Sequence, residues 1–351
     1  TSDAVEPALR RNQAVRLVQA YFDADNMQEL DEYLQELDGG EFTAEQREIL
    51  LRFLVLRGNY EKAYQWIESY TPYFADAKIL LRLTDALISQ AAHSGEPAIY
   101  AAALSAFRRG KYNGNILEYL VRYAVGTTKE LRDIWKSARS FDVDCYELSE
   151  RILVQMLFSG AFVGERMDIF RYYVSQGARQ EIEEAVLVQS SCDYFCREKL
   201  TEEYIFREIR NTYLRGEETQ RICKLAYLKF YAENRDKIEK EDEVLIRDFL
   251  EEMMRDHIHL NFFREFRDCL PKLQELKDKT IVEYHTKAGV RARIHYVMMQ
   301  ENGQAEDYLS EYMQEVYSGV FFKEFVLFFG ENIQYYIMEE SRPGEYMPVF
   351  E

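Results

Sequence analysis

The sequence predicts a multidomain chain of the α-then-β class: amphipathic helices over residues 1–278, then a small antiparallel β domain over residues 279–351. Three observations predict it. Apolar residues recur at a 3.6-residue rhythm up to residue 278, and strict alternation replaces that rhythm beyond it. Turn residues punctuate the first part at spacings that allow helices of roughly 12 to 20 residues. The composition can fill both cores, with 47% hydrophobic and 14% aromatic residues in a chain of 351. Tyr leads the aromatics, 26 against 22 Phe and 2 Trp, and Tyr suits both inter-helix packing and an exposed recognition surface.

Turns are expected at Gly39-Gly40, Arg57-Gly58-Asn59, Ser94 to Pro97, Gly110 to Asn115, Ser159-Gly160, Gly177 and Arg215-Gly216. Thr43 and Gln46 have the spacing of a capping box ahead of Ile49, Leu50, Phe53 and Leu54, and Gly58 stands where that helix would end. The next helix carries Tyr60, Ala63, Tyr64, Ile67 and Tyr70 on one stripe, so it is expected to fold back on its predecessor.

Gly58-x-Tyr60-x-x-Ala63 resembles the turn and second-helix signature of the tetratricopeptide-type repeat, in which Ala allows close helix approach. Arg109-Gly110-Lys111-Tyr112 repeats the Arg-Gly-x-Tyr turn, and Arg215-Gly216 returns later without the Tyr. The resemblance implies an irregular tetratricopeptide-like α-solenoid whose concave face binds a peptide or protein segment. The candidate protein-binding residues are then Tyr60, Tyr64, Trp66 and Tyr70, of which only Trp66 stands off the packing stripe.

Beyond Lys279, Val290, Ala292, Ile294, Tyr296 and Met298 alternate with polar residues, as in a strand with one buried face. Ile281 to Thr286 is the expected hairpin partner through Lys287-Ala288-Gly289, which sets Glu283 opposite Arg293. A second hairpin is expected from about Val320 to Glu340, turning at Phe329-Gly330-Glu331-Asn332, with a further strand at Tyr312 to Ser318. This strand set resembles an immunoglobulin-type or fibronectin-type β-sandwich with fewer strands, either truncated or packed as a sheet on the helices. The whole is also similar to large helical-repeat proteins of bacteria, a resemblance that implies no known activity.

The formal charge of −18 argues against nucleic acid or an anionic membrane as a partner. Neither part is basic: 39 Lys and Arg face 50 Asp and Glu up to Lys279, and 5 face 12 after it. Apolar runs such as Phe325 to Phe329 are far shorter than the ~20 residues of a membrane span. Five Cys, Cys145, Cys192, Cys196, Cys223 and Cys269, read as free thiols in a reducing compartment; with no visible signal peptide, a cytoplasmic setting is favoured. Opening at Thr1 and ending at Glu351, the chain reads as part of a longer protein.

No catalytic, cofactor or metal set is expected. Cys192 and Cys196 share a helix face but supply only two ligands. His257 and His259 would point about 200° apart on a helix, so a common ligand needs a break there. Acidic clusters such as Asp23-Ala24-Asp25, Asp142-Val143-Asp144 and Glu239 to Glu243 lack the calcium-loop Gly and Glu, and read as solvated faces or helix first turns. Nucleotide-binding loops and hydrolase elbows are missing. The expected function is a noncatalytic protein-interaction or scaffold module. The alternatives are a carbohydrate-active enzyme, glycosidase or lyase, with paired carboxylates in a pocket, and a purely structural segment of a larger protein.

Overall fold

The computed structural model describes residues 5–38, 42–70, 77–300 and 307–341. It has helices first and antiparallel strands after Asp278. The expected Gly39-Gly40 turn lies outside the described residues.

The chain divides into two compact units, Thr1–Ile152 and Leu153–Glu351. The division falls inside a helix, and the change from helix to strand comes later, at Lys279.

In the first unit the helices are α1 (Val5–Asp23), α2 (Met27–Glu36), α3 (Ala44–Leu56), α4 (Tyr60–Tyr70), α5 (Ala77–Gln90), α6 (Pro97–Arg108), α7 (Gly114–Tyr123) and α8 (Thr128–Arg139). The next helix, α9 (Tyr146–Ser159), carries the division. Packing is local: α1 meets α2 and α3, α3 meets α4 and α5, α4 meets α5 and α6, and α5 meets α6 and α7. The start of α3 is built as its spacing predicts. Thr43 Oγ1 accepts from Gln46 N and Gln46 Oε1 accepts from Thr43 N. Gly58 ends the helix in the left-handed region, at φ +71°.

In the second unit α10 (Met167–Ser175), α11 (Gln180–Arg197), α12 (Glu203–Leu214), α13 (Arg221–Glu233) and α14 (Lys240–Arg255) precede the 3-10 turns Asn261–Phe266 and Pro271–Asp278. Three Arg-Gly turns, one after each of α3, α6 and α12, share one geometry. Each Gly has positive φ (+71°, +69° and +76°), and the N–H after it donates to the carbonyl five residues back: Asn59 to Leu54, Lys111 to Ala106, Glu217 to Thr212. Each Arg also reaches a carboxylate on a neighbouring helix: Arg57 to Asp31, Arg109 to Glu68, and Arg215 to Glu183.

The strands β1 (Lys279–His285), β2 (Val290–Met299), β3 (Leu309–Tyr312), β4 (Gln314–Tyr317), β5 (Val320–Val326) and β6 (Asn332–Ser341) form two three-stranded antiparallel sheets, ordered β1-β5-β4 and β3-β2-β6. Val282, Phe321 and Phe325 of the first join Ala292, Ile294 and Tyr296 of the second in one apolar cluster. This pairing corrects both expected hairpins. Strand β1 pairs with β5 rather than β2, and β5 does not pair with β6. Glu283 lies opposite Phe322, while Arg293 lies opposite Tyr312 and Met338. The Lys287-Ala288-Gly289 and Phe329 to Asn332 segments carry the chain from one sheet to the other instead of turning it back. Thr286 N donates to Gly319 O, which holds the end of β1 to the β4–β5 turn. The expected strand at Tyr312 to Ser318 is broken at Met313, whose N–H bonds the Ala292 carbonyl and whose side chain is buried. The break lets β3 pair in one sheet and β4 in the other.

Candidate functional site

In α4, Ala63, Trp66 and Ile67 are buried, and Tyr60 and Tyr64 are half-buried at the flank. Burial pushes the Tyr64 phenol up, with Glu68 adding to it. Trp66, expected off the packing stripe, is 6% exposed, because Ala63, Trp66 and Ile67 form their own i, i+3, i+4 face. The side chain of Tyr70 lies outside the described residues.

The second unit holds a pocket of about 890 Å³ formed by the end of α14, the 3-10 turn Pro271–Asp278 and strands of both sheets. His257 and His259 both line it. The helix break that a shared ligand requires is present. After α14 ends, His257 adopts φ +53°, His257 N donates to Met254 O and Ile258 N to Met253 O. Ile258 and Leu260 are then buried, which carries His259 in with them while His257 stays exposed.

His259 Nδ1 lies 2.5 Å from Glu324 Oε2, and both Glu324 oxygens are 3.1 Å from Lys279 Nζ. Burial pushes the Glu324 carboxyl up, but the hydrogen bonds from His259 and Lys279 outweigh it and hold the group below the usual carboxylate range. Glu324 is therefore an anion at neutral pH and can only accept, so Nδ1 of His259 carries the proton and donates. In the neutral ring Nε2 is the basic nitrogen. Glu251 and Glu275 also line the pocket, over a partly apolar wall of Met254, Leu270, Met313 and Phe322. A carboxylate-held imidazole there can take a proton or bind a ligand N–H or O–H. The committed Glu324 has the opposite of the raised pKa that marks a glycosidase acid.

A different surface forms on the outer face of β3-β2-β6. Cross-strand partners share a face, so Tyr312 and Met338 flank Arg293, and Tyr336 flanks His295. The His295 and Tyr336 rings stack 4.7 Å apart at 5°, and Tyr308 packs against both, 6.1 Å from His295 and 6.2 Å from Tyr336. The Arg293 guanidinium sits 4.0 Å from the Tyr312 ring centroid, and Glu340 bonds both Arg293 Nε and the Tyr312 hydroxyl. Tyr308, Tyr312, Tyr336 and Met338 are each about half exposed. Strand β6 pairs with β2 alone among the described residues, so its other edge is free along ten residues.

Sequence reasoning met the two histidines as a spacing but missed Glu324 and the Tyr308, Tyr312 and Tyr336 surface. A usable signal for Glu324 was the charged Lys323-Glu324 step inside an otherwise apolar strand. Of the five thiols, all free, Cys192 donates to the Tyr317 hydroxyl at 3.6 Å, and burial pushes its pKa up. Among the described residues no three His, Cys, Asp or Glu gather as a metal set, and no helix is long and apolar enough to cross a membrane.

No curated protein matches the chain. Two family profiles do: the N-terminal one of DUF5717, a family of unknown function, over residues 1–94, and its C-terminal one over residues 96–348. With nearly every residue inside those two matches, this helical-then-β chain belongs to the DUF5717 family.

Proposed function

We propose that this chain is a noncatalytic protein-interaction module whose main contact is the free edge of β6, completed by an extended segment of a partner protein. The observation that carries this reading is the composition of that edge. From Asn332 to Ser341 it holds no Lys, Arg or Pro, and it exposes Tyr335, Tyr336 and Met338 by about half. Natural edge strands are ordinarily short, bulged, charged with Lys or interrupted by Pro, because an open, apolar edge pairs with whatever strand it meets. A partner strand would satisfy the backbone groups and cover the aromatic face beside them.

The helical part is read as an irregular tetratricopeptide-like solenoid. Its support is the recurrent Arg-Gly turn and the stacking of α1, α3, α4, α5 and α11 on their next and next-but-one neighbours.

The test is a photo-crosslinking amino acid placed at Tyr336 and, separately, at Tyr64, in the protein expressed in its own host. The reading expects a single heterologous adduct from position 336 that position 64 does not give. An adduct only from position 64 would move the contact to the helices. An adduct of the chain with itself would make the edge a self-association surface and overturn the partner assignment.

A further inference from the structure

Most Arg side chains of this acidic protein that form ion pairs do so on neighbouring helices or one turn away, as Arg57, Arg109 and Arg215 do. Four cations of the second unit depart from that habit. Arg235, Arg264, Arg267 and Lys277 line one pocket of about 510 Å³ with Gln274, Glu265 and Asp268. Among the described residues none of the four has a carboxylate within 4.0 Å.

Their convergence follows from the 3-10 period, which puts residues three apart on one face. Phe263 and Phe266, and likewise Leu273 and Leu276, are fully buried and fix the two 3-10 turns against the core. The polar positions at the same spacing, Arg264 with Arg267 and Gln274 with Lys277, are thereby held at the pocket. Arg235 joins them from the short turn after α13, with its guanidinium 5.0 Å from the Phe266 ring centroid.

Two of the guanidinium groups are positioned and still have donors to spare. Among the described residues, Arg264 Nη2 donates to the Lys279 carbonyl, its Nε is buried without a partner, and Nη1 makes no bond. Arg267 Nε donates to the Arg264 carbonyl at 2.9 Å, and among the described residues neither of its Nη groups makes a bond. Four like charges kept together with unused, pre-oriented donors cost electrostatic energy that an oxyanion would recover.

We propose that this pocket binds a phosphate monoester group. The four cations and two carboxylates leave a local formal charge of +2, which matches the roughly −1.5 to −2 of a phosphate monoester near pH 7. Planar guanidinium forks are the groups that best fit its oxygens, and the pocket volume leaves room for an organic substituent. The substituent belongs either to a soluble phosphate ester or to a phospholipid headgroup, and the phosphate chemistry is common to both.

Calorimetric titration of the full chain with inorganic phosphate, at low and at physiological salt, tests it. Binding is expected, weaker at the higher salt, and lowered by at least about tenfold in the exposed double variant Arg267→Gln/Lys277→Gln. The reciprocal variant Glu265→Gln/Asp268→Asn removes the two repelling carboxylates and should bind phosphate more tightly than the native chain, a gain that a damaged fold would not produce. Co-sedimentation with phosphatidylcholine vesicles containing a phosphoinositide, lost in the first variant, assigns the group to a lipid. Phosphate binding without co-sedimentation assigns it to a soluble ester. Absence of phosphate binding by the native chain, or equal affinity in all three proteins, overturns the proposal.

Discussion

Gly319 shows how one missing side chain serves two strands. It turns β4 into β5 at φ +82°, and its carbonyl receives Thr286 N. An added Cβ would overlap the Thr286 carbonyl oxygen. Gly319→Ala should therefore cost about 1–3 kcal/mol, measured as a fall in urea midpoint. Asp242 is the other pressure point. It is fully buried and accepts from Arg210, from Tyr227 and, through Oδ2, from the Glu239 N–H at the start of α14. Burial, and after it the Asp242 bond, pushes the Tyr227 phenol far above its ordinary range, so it stays a donor. Asp242→Ala leaves the mostly buried Arg210 guanidinium only the exposed Glu239 carboxylate and removes the acceptor of the buried Tyr227 hydroxyl, and should cost about 3–5 kcal/mol. The sequence marked this carboxylate only as one of an acidic run expected to be solvated or in a first turn. It does lie in a first turn, but its burial comes from Arg210 and Tyr227 on other helices, which local pattern does not reveal.

At the scale of elements, the Arg-Gly turns make a graded prediction. Arg57 pairs with Asp31 in a bidentate bond of 2.8 and 2.8 Å, but both side chains are substantially exposed. Arg57→Ala should cost under about 1 kcal/mol. Arg215 bonds Glu183 and Glu208, whose side chains are only 10% and 4% exposed. Arg215→Ala leaves both carboxylates buried together, and should cost several-fold more than Arg57→Ala in the same urea measurement. The bond between the segment after α14 and β5, through His259 and Glu324, has a pH signature. The folded-state pKa of Glu324 is lowered, so its stabilisation is fully present above its ordinary value of 4.5 and is lost as pH falls below that through the folded value. Glu324→Gln should accordingly flatten the acid limb of the native stability curve from about pH 4.5 downward, with little change of slope above it. Which segments are strands was legible because alternation reports burial of one face; which strands pair was not, because alternation is silent about partners. Thr43, Gln46 and Gly58 were legible as a helix start and stop for the opposite reason, since caps are satisfied within a few residues. The pocket was half legible: two histidines stood out by spacing, but their convergence depends on a left-handed His257, a conformation that residue type alone does not announce.

At the scale of the molecule, each compact unit has its own buried core, yet the family profiles meet near residue 95 and the change to strand comes at Lys279. None of these three divisions coincides with another, so a helix, α9, runs through the compact-unit division. Fragments intended to keep α9 whole should be cut outside Tyr146–Ser159.

The placement of the two tryptophans has a practical consequence. Trp66 and Trp135 are the only ones in the chain, and both are buried within residues 1–152. Their ultraviolet emission is a private reporter of that half, while far-ultraviolet circular dichroism records helices from both. In Asp242→Ala the emission midpoint in urea should stay where it is and the dichroism curve should shift to lower urea. If the two signals move together instead, the halves melt as one cooperative body, and a single dye-free fluorescence trace would report the stability of the entire chain.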